Sequence, residues 1–190
     1  MLEKTSPYKI LRFAQTRSLS GRLLNSNFRD VLYFMDNCTI ELKHIKLEID
    51  HGRHRHMRHF VDQYYCYKKG YVNSSGNPDW EKILWNSGEI VSKSAQEETD
   101  RKNVVKEHVV PLKRIVTELM KLSKGGPVSI TDIEECIGEY LVFATITKSE
   151  DKKLRERGLT SKMPSEFDDP SSQLFQDKFA RYKVAGIELV

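Results

Sequence analysis

Apolar residues recur at three- and four-residue spacings through the first half of the chain. Phe28, Val31, Leu32, Met35, Cys38, Leu42, Ile45 and Ile49 form one stripe of a long amphipathic helix. Asn27 or Ser26 is placed to cap its start, and Gly52 to stop it. Met57, Phe60, Val61 and Tyr64 carry the period into a second helix ending near Gly70. Asn73-Ser-Ser-Gly-Asn-Pro78 has the composition of a loop. Behind Asp79, the positions of Trp80, Ile83, Leu84 and Val91 predict another helical face. The pattern changes after Asn103. Val104-Val-Lys-Glu-His-Val-Val110 is short, β-branched and bounded by Pro111, which predicts a strand. Leu112, Ile115, Val116, Leu119 and Met120 predict an amphipathic helix ended by Gly125-Gly-Pro127. Ser129 is placed to cap a further helix with Ile130, Ile133, Cys136, Ile137 and Tyr140 inward. Leu141-Val-Phe-Ala-Thr-Ile-Thr147 reads as a second strand. Thr147 or Ser149 would cap a helix over residues 150–157, which Gly158 ends. Pro164 and Pro170 punctuate a loop, and a last helix is predicted over residues 172–185.

These elements predict an α+β fold that is predominantly helical. Two strands and one capped helix make a ββα unit with a helical insertion between the strands, preceded by a helical N-terminal half. The loop at residues 73–78 is a candidate divide. It separates a basic helical region, residues 1–78, suited to nucleic-acid binding or dimerisation, from the unit in residues 79–190.

The chain has 190 residues, of which 38% are hydrophobic and 31% charged. No stretch approaches the roughly 18 to 20 apolar residues that a bilayer span needs, so no membrane partner is expected. Apolar residues recur throughout, which argues against global disorder. The N-terminus has no continuous apolar run and no small-residue cleavage site, so no secretory signal is read. Cys38, Cys66 and Cys136 are widely spaced and odd in number, which fits a reducing cytoplasm rather than a disulfide framework.

Net charge is +4, a modest excess whose distribution matters more than its sum. Between Met1 and Arg29, six basic residues face only Glu3. His51-Gly-Arg-His-Arg-His-Met-Arg-His59 places Arg53, Arg55 and Arg58 among four histidines. Acidic residues gather later, in Gln96-Glu-Glu-Thr-Asp100 and Ser165-Glu-Phe-Asp-Asp169. A basic front half suits a polyanion; a merely basic solvated surface accounts for the charge equally well. The histidine cluster has i, i+3 spacings that could hold a transition metal, but its arginines repel a cation. Phosphate contact or a solvated helix end are its other readings. Tyr64-Tyr-Cys-Tyr-Lys-Lys-Gly-Tyr71 mixes aromatics with lysines, a combination that can stack bases. The long first-half helices could also pair between subunits as a homodimer.

Chemistry concentrates in Glu107-His108. Neighbouring strand residues point to opposite faces, so one ionisable group faces inward and needs a partner. A metal ion would be one such partner, and at a strand end both side chains could reach it. Glu150 and Asp151 fall in the first turn of the helix after the second strand, where the helix N-terminus stabilises anions. As plainer alternatives, His108 is a hydrogen-bonded core histidine, and the two acids are cap and dipole partners.

Glu107-His-Val-Val-Pro-Leu112 resembles the acid-His-aliphatic-aliphatic-Pro-Leu opening of the HNH (ββα-metal) endonucleases. Ile146-Thr-Lys-Ser-Glu-Asp-Lys-Lys-Leu154 is similar to the second strand and metal-ligand helix of that superfamily. Phe179-Ala-Arg-Tyr-Lys-Val-Ala-Gly-Ile187 is similar to the tail of some bacterial and phage HNH-like proteins. The resemblance covers roughly residues 90–190 and leaves the basic half outside. It implies a metal-dependent endonuclease hydrolysing phosphodiester bonds of DNA, with RNA as a further possible substrate. By the resemblance, His108 is the general base and Glu107 a metal-binding acid. Asp151 is the second ligand, with Glu150 as the neighbouring candidate, and the cofactor is Mg²⁺ or Mn²⁺. The pattern departs from the family in three ways. No asparagine lies between Asn103 and Asp151, an acid replaces the last His, and the zinc-binding Cys pairs are absent.

The chemistry suits those roles. A neutral imidazole accepts a proton from water near neutral pH. A divalent cation polarises the scissile phosphate and stabilises the leaving 3′ oxygen, giving a 5′-phosphate and a 3′-hydroxyl. Arg114, Arg155 and Arg181, nearest the motif in sequence, join Arg53, Arg55 and Arg58 as candidate phosphate contacts. The alternative function is a non-catalytic nucleic-acid-binding protein on an HNH-like scaffold. A third is a module that docks an acidic protein.

Overall fold

A computed structural model describes residues 36–85 and 90–190. The N-terminal basic residues and the 28–35 part of the first apolar stripe lie outside the described residues. Asp36 has extended backbone, and its carboxylate accepts a hydrogen bond from the Thr39 amide at 2.8 Å. It therefore caps a helix that begins at Asn37, not near Ser26 or Asn27. This helix, α1 (Asn37–Asp50), is followed by the exposed turn 51–56 and by α2 (Met57–Lys69). Gly70 ends α2 at φ 70°, a conformation that costs an L side chain energy but not glycine. The expected loop at residues 73–78 lies within the non-helical stretch 71–79. It is closed by a bridge between Val72 and Pro78 and by the Asn73 carboxamide, which accepts from the Ser75 and Asn77 amides.

The helix predicted around Trp80 to Val91 is a correction. Helix α3 spans only Lys82–Trp85, and Ile90–Val91 form strand β1. After the short helix α4 (Lys93–Gln96) come β2 (Val104–His108), α5 (Leu112–Leu122), α6 (Ile130–Tyr140), β3 (Phe143–Thr147) and α7 (Lys148–Glu156). Ser129 and Thr147 both make capping boxes, with Asp132 and Glu150 as the reciprocal partners. The final helix, α8, covers only Ala180–Ala185. The stretch before it, expected to be helical from residue 172, turns instead. Asp169 and Asp177 accept from backbone amides two residues on, and Gln176 has φ 52°. Such local side-chain bonds compete with a helix ladder.

The sheet order is β1-β3-β2. β1 runs parallel to β3, and β2 antiparallel to it, with Val104 opposite Thr147 and His108 opposite Phe143. The two expected strands do pair, with α5 and α6 as the helical insertion between them and α7 immediately after. All five residues of β3 are buried, because both faces of the sheet are covered. One face meets a core that includes Ile45 of α1, Val61 and Tyr65 of α2, Ile115 of α5 and Ile137 of α6. The other meets Leu154 of α7 and Tyr182 and Ala185 of α8. Residues from both sides of the 73–78 loop thus share the first core. The fold is α+β and predominantly helical.

Candidate functional site

Strand alternation decides where the motif residues go. His108 and Lys106 share one face of β2, and Glu107 takes the other. His108 is 6% exposed at the end of β2, with its ring 4.3 Å from that of Phe143. Its Nε2 lies 2.8 Å from Asp62 Oδ1, on α2. A carboxylate only accepts, so Nε2 carries the donated proton, and Nδ1 is the nitrogen left to act as a base. Asp62 sits one helical turn after Arg58, so the two belong to the same row of α2.

Lys106, two residues before His108, is half-buried. Its ammonium stands 4.6 Å from the centre of the Trp80 ring and 5.3 Å from that of Phe143. Burial lowers its pKa; Asp62, Cys66 and Glu81 oppose the shift and Arg58 adds to it. Among the described residues Lys106 has no carboxylate at ion-pair distance. Aromatic faces attract a cation, though by less than a paired carboxylate does.

Glu107 faces α8. Its carboxylate accepts from Arg181 Nη2 at 2.8 Å. Arg181 is fully buried, and its remaining donors go to the carbonyls of His108, Val109 (3.1 Å) and Leu159 (2.6 Å). This corrects the expectation that Arg181 contacts phosphate, because no donor faces solvent. Glu150 is also buried. Its Oε2 accepts from the Thr147 amide at 2.9 Å and from Ser92 Oγ at 2.6 Å. Asp151 pairs with Arg155 on its own helix. Arg114 bonds Glu118 and Asp168, so it ties α5 to the turn at Ser165–Asp168. Arg53 pairs with Glu48 at 3.3 Å, whereas Arg55 and Arg58 are exposed without an ion-pair partner among the described residues.

The expected convergence is therefore not formed. His108 and Glu107 lie on opposite faces of β2. Glu150 follows the end of β3 that pairs with Val104, four residues and about 13 Å along the strand from His108. Glu107 and Asp151 do share a neighbour, the Tyr182 hydroxyl, which is buried without a hydrogen-bond partner. Burial pushes its pKa well up; Arg181 opposes that rise, while Glu107 and Asp151 add to it. A buried hydroxyl that feels both acids is where an ion would have to sit. The donor set does not fit one, however. Each carboxylate already faces a guanidinium, and no group of three His, Cys, Asp or Glu capable of holding a metal occurs among the described residues.

A groove of about 940 Å³ lies elsewhere, between β1, α8 and the last residues, with Ile90, Phe179 and Leu189 in its wall. It is mostly apolar and touches neither His108 nor Lys106. Asp62, Lys106 and Trp80 are the members of the His108 site that sequence reasoning passed over. Lys106 had a signal, since its i, i+2 spacing to His108 sets both on one strand face. Asp62, 46 residues away from His108, had none.

No family model matches the chain, and no curated protein or solved structure matches it.

Proposed function

We propose that this chain is a nucleic-acid-binding protein built on a ββα-like scaffold. The observation that carries the reading is the exposed basic turn between α1 and α2. Residues 51–56 are all exposed, as are Arg58 and His59. Arg55 and Arg58 spend no charge on carboxylates among the described residues, so they are available to phosphates at little desolvation cost. Cations that neutralise phosphates release counterions, which is the main source of sequence-independent affinity. The commitments of Glu107 to Arg181 and of Glu150 to Thr147 and Ser92 support a scaffold role for the motif.

The test is binding of the full chain to DNA duplexes, DNA single strands and RNA over a salt series. Affinity that falls linearly with salt on logarithmic axes, and that weakens in Arg55→Gln, supports the reading. No binding at low salt overturns it.

A second reading, hydrolysis of the phosphodiester backbone, is favoured by the His108–Asp62 pair. A carboxylate that holds an imidazole also sets the orientation of a general base. Incubation with Mg²⁺ or Mn²⁺ separates the two readings. Cleavage by the intact protein that His108→Ala abolishes selects the hydrolase. Binding without cleavage selects the scaffold.

A further inference from the structure

We infer that Arg58 and Lys106 together hold one backbone phosphate of the bound nucleic acid, beside Trp80 at the open edge of β2. The inference rests on the nucleic-acid-binding reading and locates the ligand on the molecule.

The geometry joins two elements distant in sequence. Arg58 begins the row of α2 that continues one turn later to Asp62, and Asp62 meets His108 at 2.8 Å. Lys106 stands two residues from His108 on the same face of β2, an edge strand of the sheet. Arg58 and Lys106 therefore flank the same Asp62–His108 pair, near enough for Arg58 to disfavour the charged form of Lys106. Two acids, Asp62 and Glu81, also act on Lys106, but Asp62 Oδ1 is engaged with His108 and Glu81 with Arg101. Each acid near Lys106 thus already has a partner of its own.

Such an arrangement raises the energy of the unliganded protein, and an anion set between the two cations relieves it. Lys106 is half-buried against Trp80 and Phe143, so its ammonium has lost part of its water. A phosphate oxygen would restore a charge-assisted hydrogen bond there. Arg58 is exposed and continuous with Arg55 in the α1–α2 turn. A strand that runs from Lys106 toward the α1–α2 turn therefore passes next over Arg58 and Arg55. That continuity favours an extended polyanion over an isolated phosphate ion. The partly exposed Trp80 ring adds a flat apolar surface next to the phosphate.

The experiment measures binding of the full chain to a 20-nucleotide DNA single strand and to its duplex over a salt series. Wild type is compared with Arg58→Gln, Lys106→Gln and the control Lys152→Gln, an exposed residue of α7, which packs on the other face of the sheet. Arg58 is exposed, so its replacement leaves folding intact even where Lys106→Gln perturbs Trp80. Each of the two site variants is expected to weaken binding by roughly tenfold near 0.1 M salt and to reduce the salt slope by about 1, with the control unchanged. Normal binding by both site variants, with wild type binding well, overturns this inference and leaves the general reading standing. Absence of wild-type binding to any nucleic acid removes both. Binding to polyglutamate but to neither DNA nor RNA does the same, and assigns the patch to an acidic protein.

Discussion

Nε2 of His108 and Oδ1 of Asp62 stand 2.8 Å apart, linking the end of the edge strand β2 to the middle of α2. Both residues are buried in the core, at 6% and 8% exposure. A polar pair there is tolerable because each partner satisfies the other. Removing one leaves the other unpaired. Asp62→Ala should therefore cost about 1–3 kcal/mol of stability, measured by urea denaturation. Asp62→Asn should cost less, because its amide oxygen still accepts from the imidazole. Equal losses in the two variants would show that the hydrogen bond contributes little.

Arg181 is expected to be the most sensitive polar position of the described residues. Its guanidinium binds the carbonyls of His108, Val109 and Leu159 and the Glu107 carboxylate without solvent exposure. It thereby clips the exit of β2 to the segment after α7. Arg181→Ala strands several carbonyls and one acid, and should cost roughly 3–5 kcal/mol. Glu107→Gln should cost less, since the Glu107 side chain is 20% exposed and water can serve its oxygens. A double-mutant cycle in urea checks whether the two positions are coupled.

Ser92 performs two tasks. Its hydroxyl accepts from the Ala95 amide at 3.1 Å to cap α4, and donates to Glu150 at 2.6 Å. Ser92→Ala removes the cap and withdraws one donor from a buried carboxylate. The expected loss is about 1–3 kcal/mol. Urea denaturation of Ser92→Ala beside wild type at pH 7 measures it, and an unchanged midpoint would show that neither bond contributes.

Alkaline stability should depend on Tyr64. Its hydroxyl donates to Glu134 on α6 at 3.0 Å. Burial first, then that hydrogen bond and the Glu134 charge, push its pKa from 10.0 up to about 12. The unfolded chain releases this proton near 10, while the folded chain keeps it until about 12. Between those values the folded state binds more protons, so the Tyr64 contribution is fully present below pH 10 and is lost as pH rises toward 12. Tyr64→Phe should flatten the decline in stability over that interval. Tyrosinate absorbance near 295 nm, followed alongside denaturation, tests it.

Much of the local structure was legible along the chain. The 3.6-residue periods placed α2, α5 and α6, Gly70 stopped α2, and Ser129 and Thr147 capped their helices as their positions implied. These features are local, since a cap or a turn depends on residues within one helical turn. The failures were also local in cause. The helix start at Asp36, and the turns around Asp169 and Asp177, come from short polar side chains that bond nearby backbone amides. The two-residue strand β1 carries too little pattern to detect, and exists because β3 supplies its hydrogen bonds.

The site divides in the same way. Strand alternation set Lys106 on the His108 face and pointed Glu107 the other way, but the strand end still left both motif residues open to one metal by sequence alone. Amino-acid order thus determined which residues share a face. It did not determine what stands opposite that face. Arg181 was open to a phosphate contact by sequence, and only the packing of α8 beneath β2 made it an internal clamp for Glu107. Asp62 was one acid among many until α2 crossed the strand at His108. Periodicity acts over a few residues, whereas the partner of a buried charge is chosen by chain segments that meet only after folding.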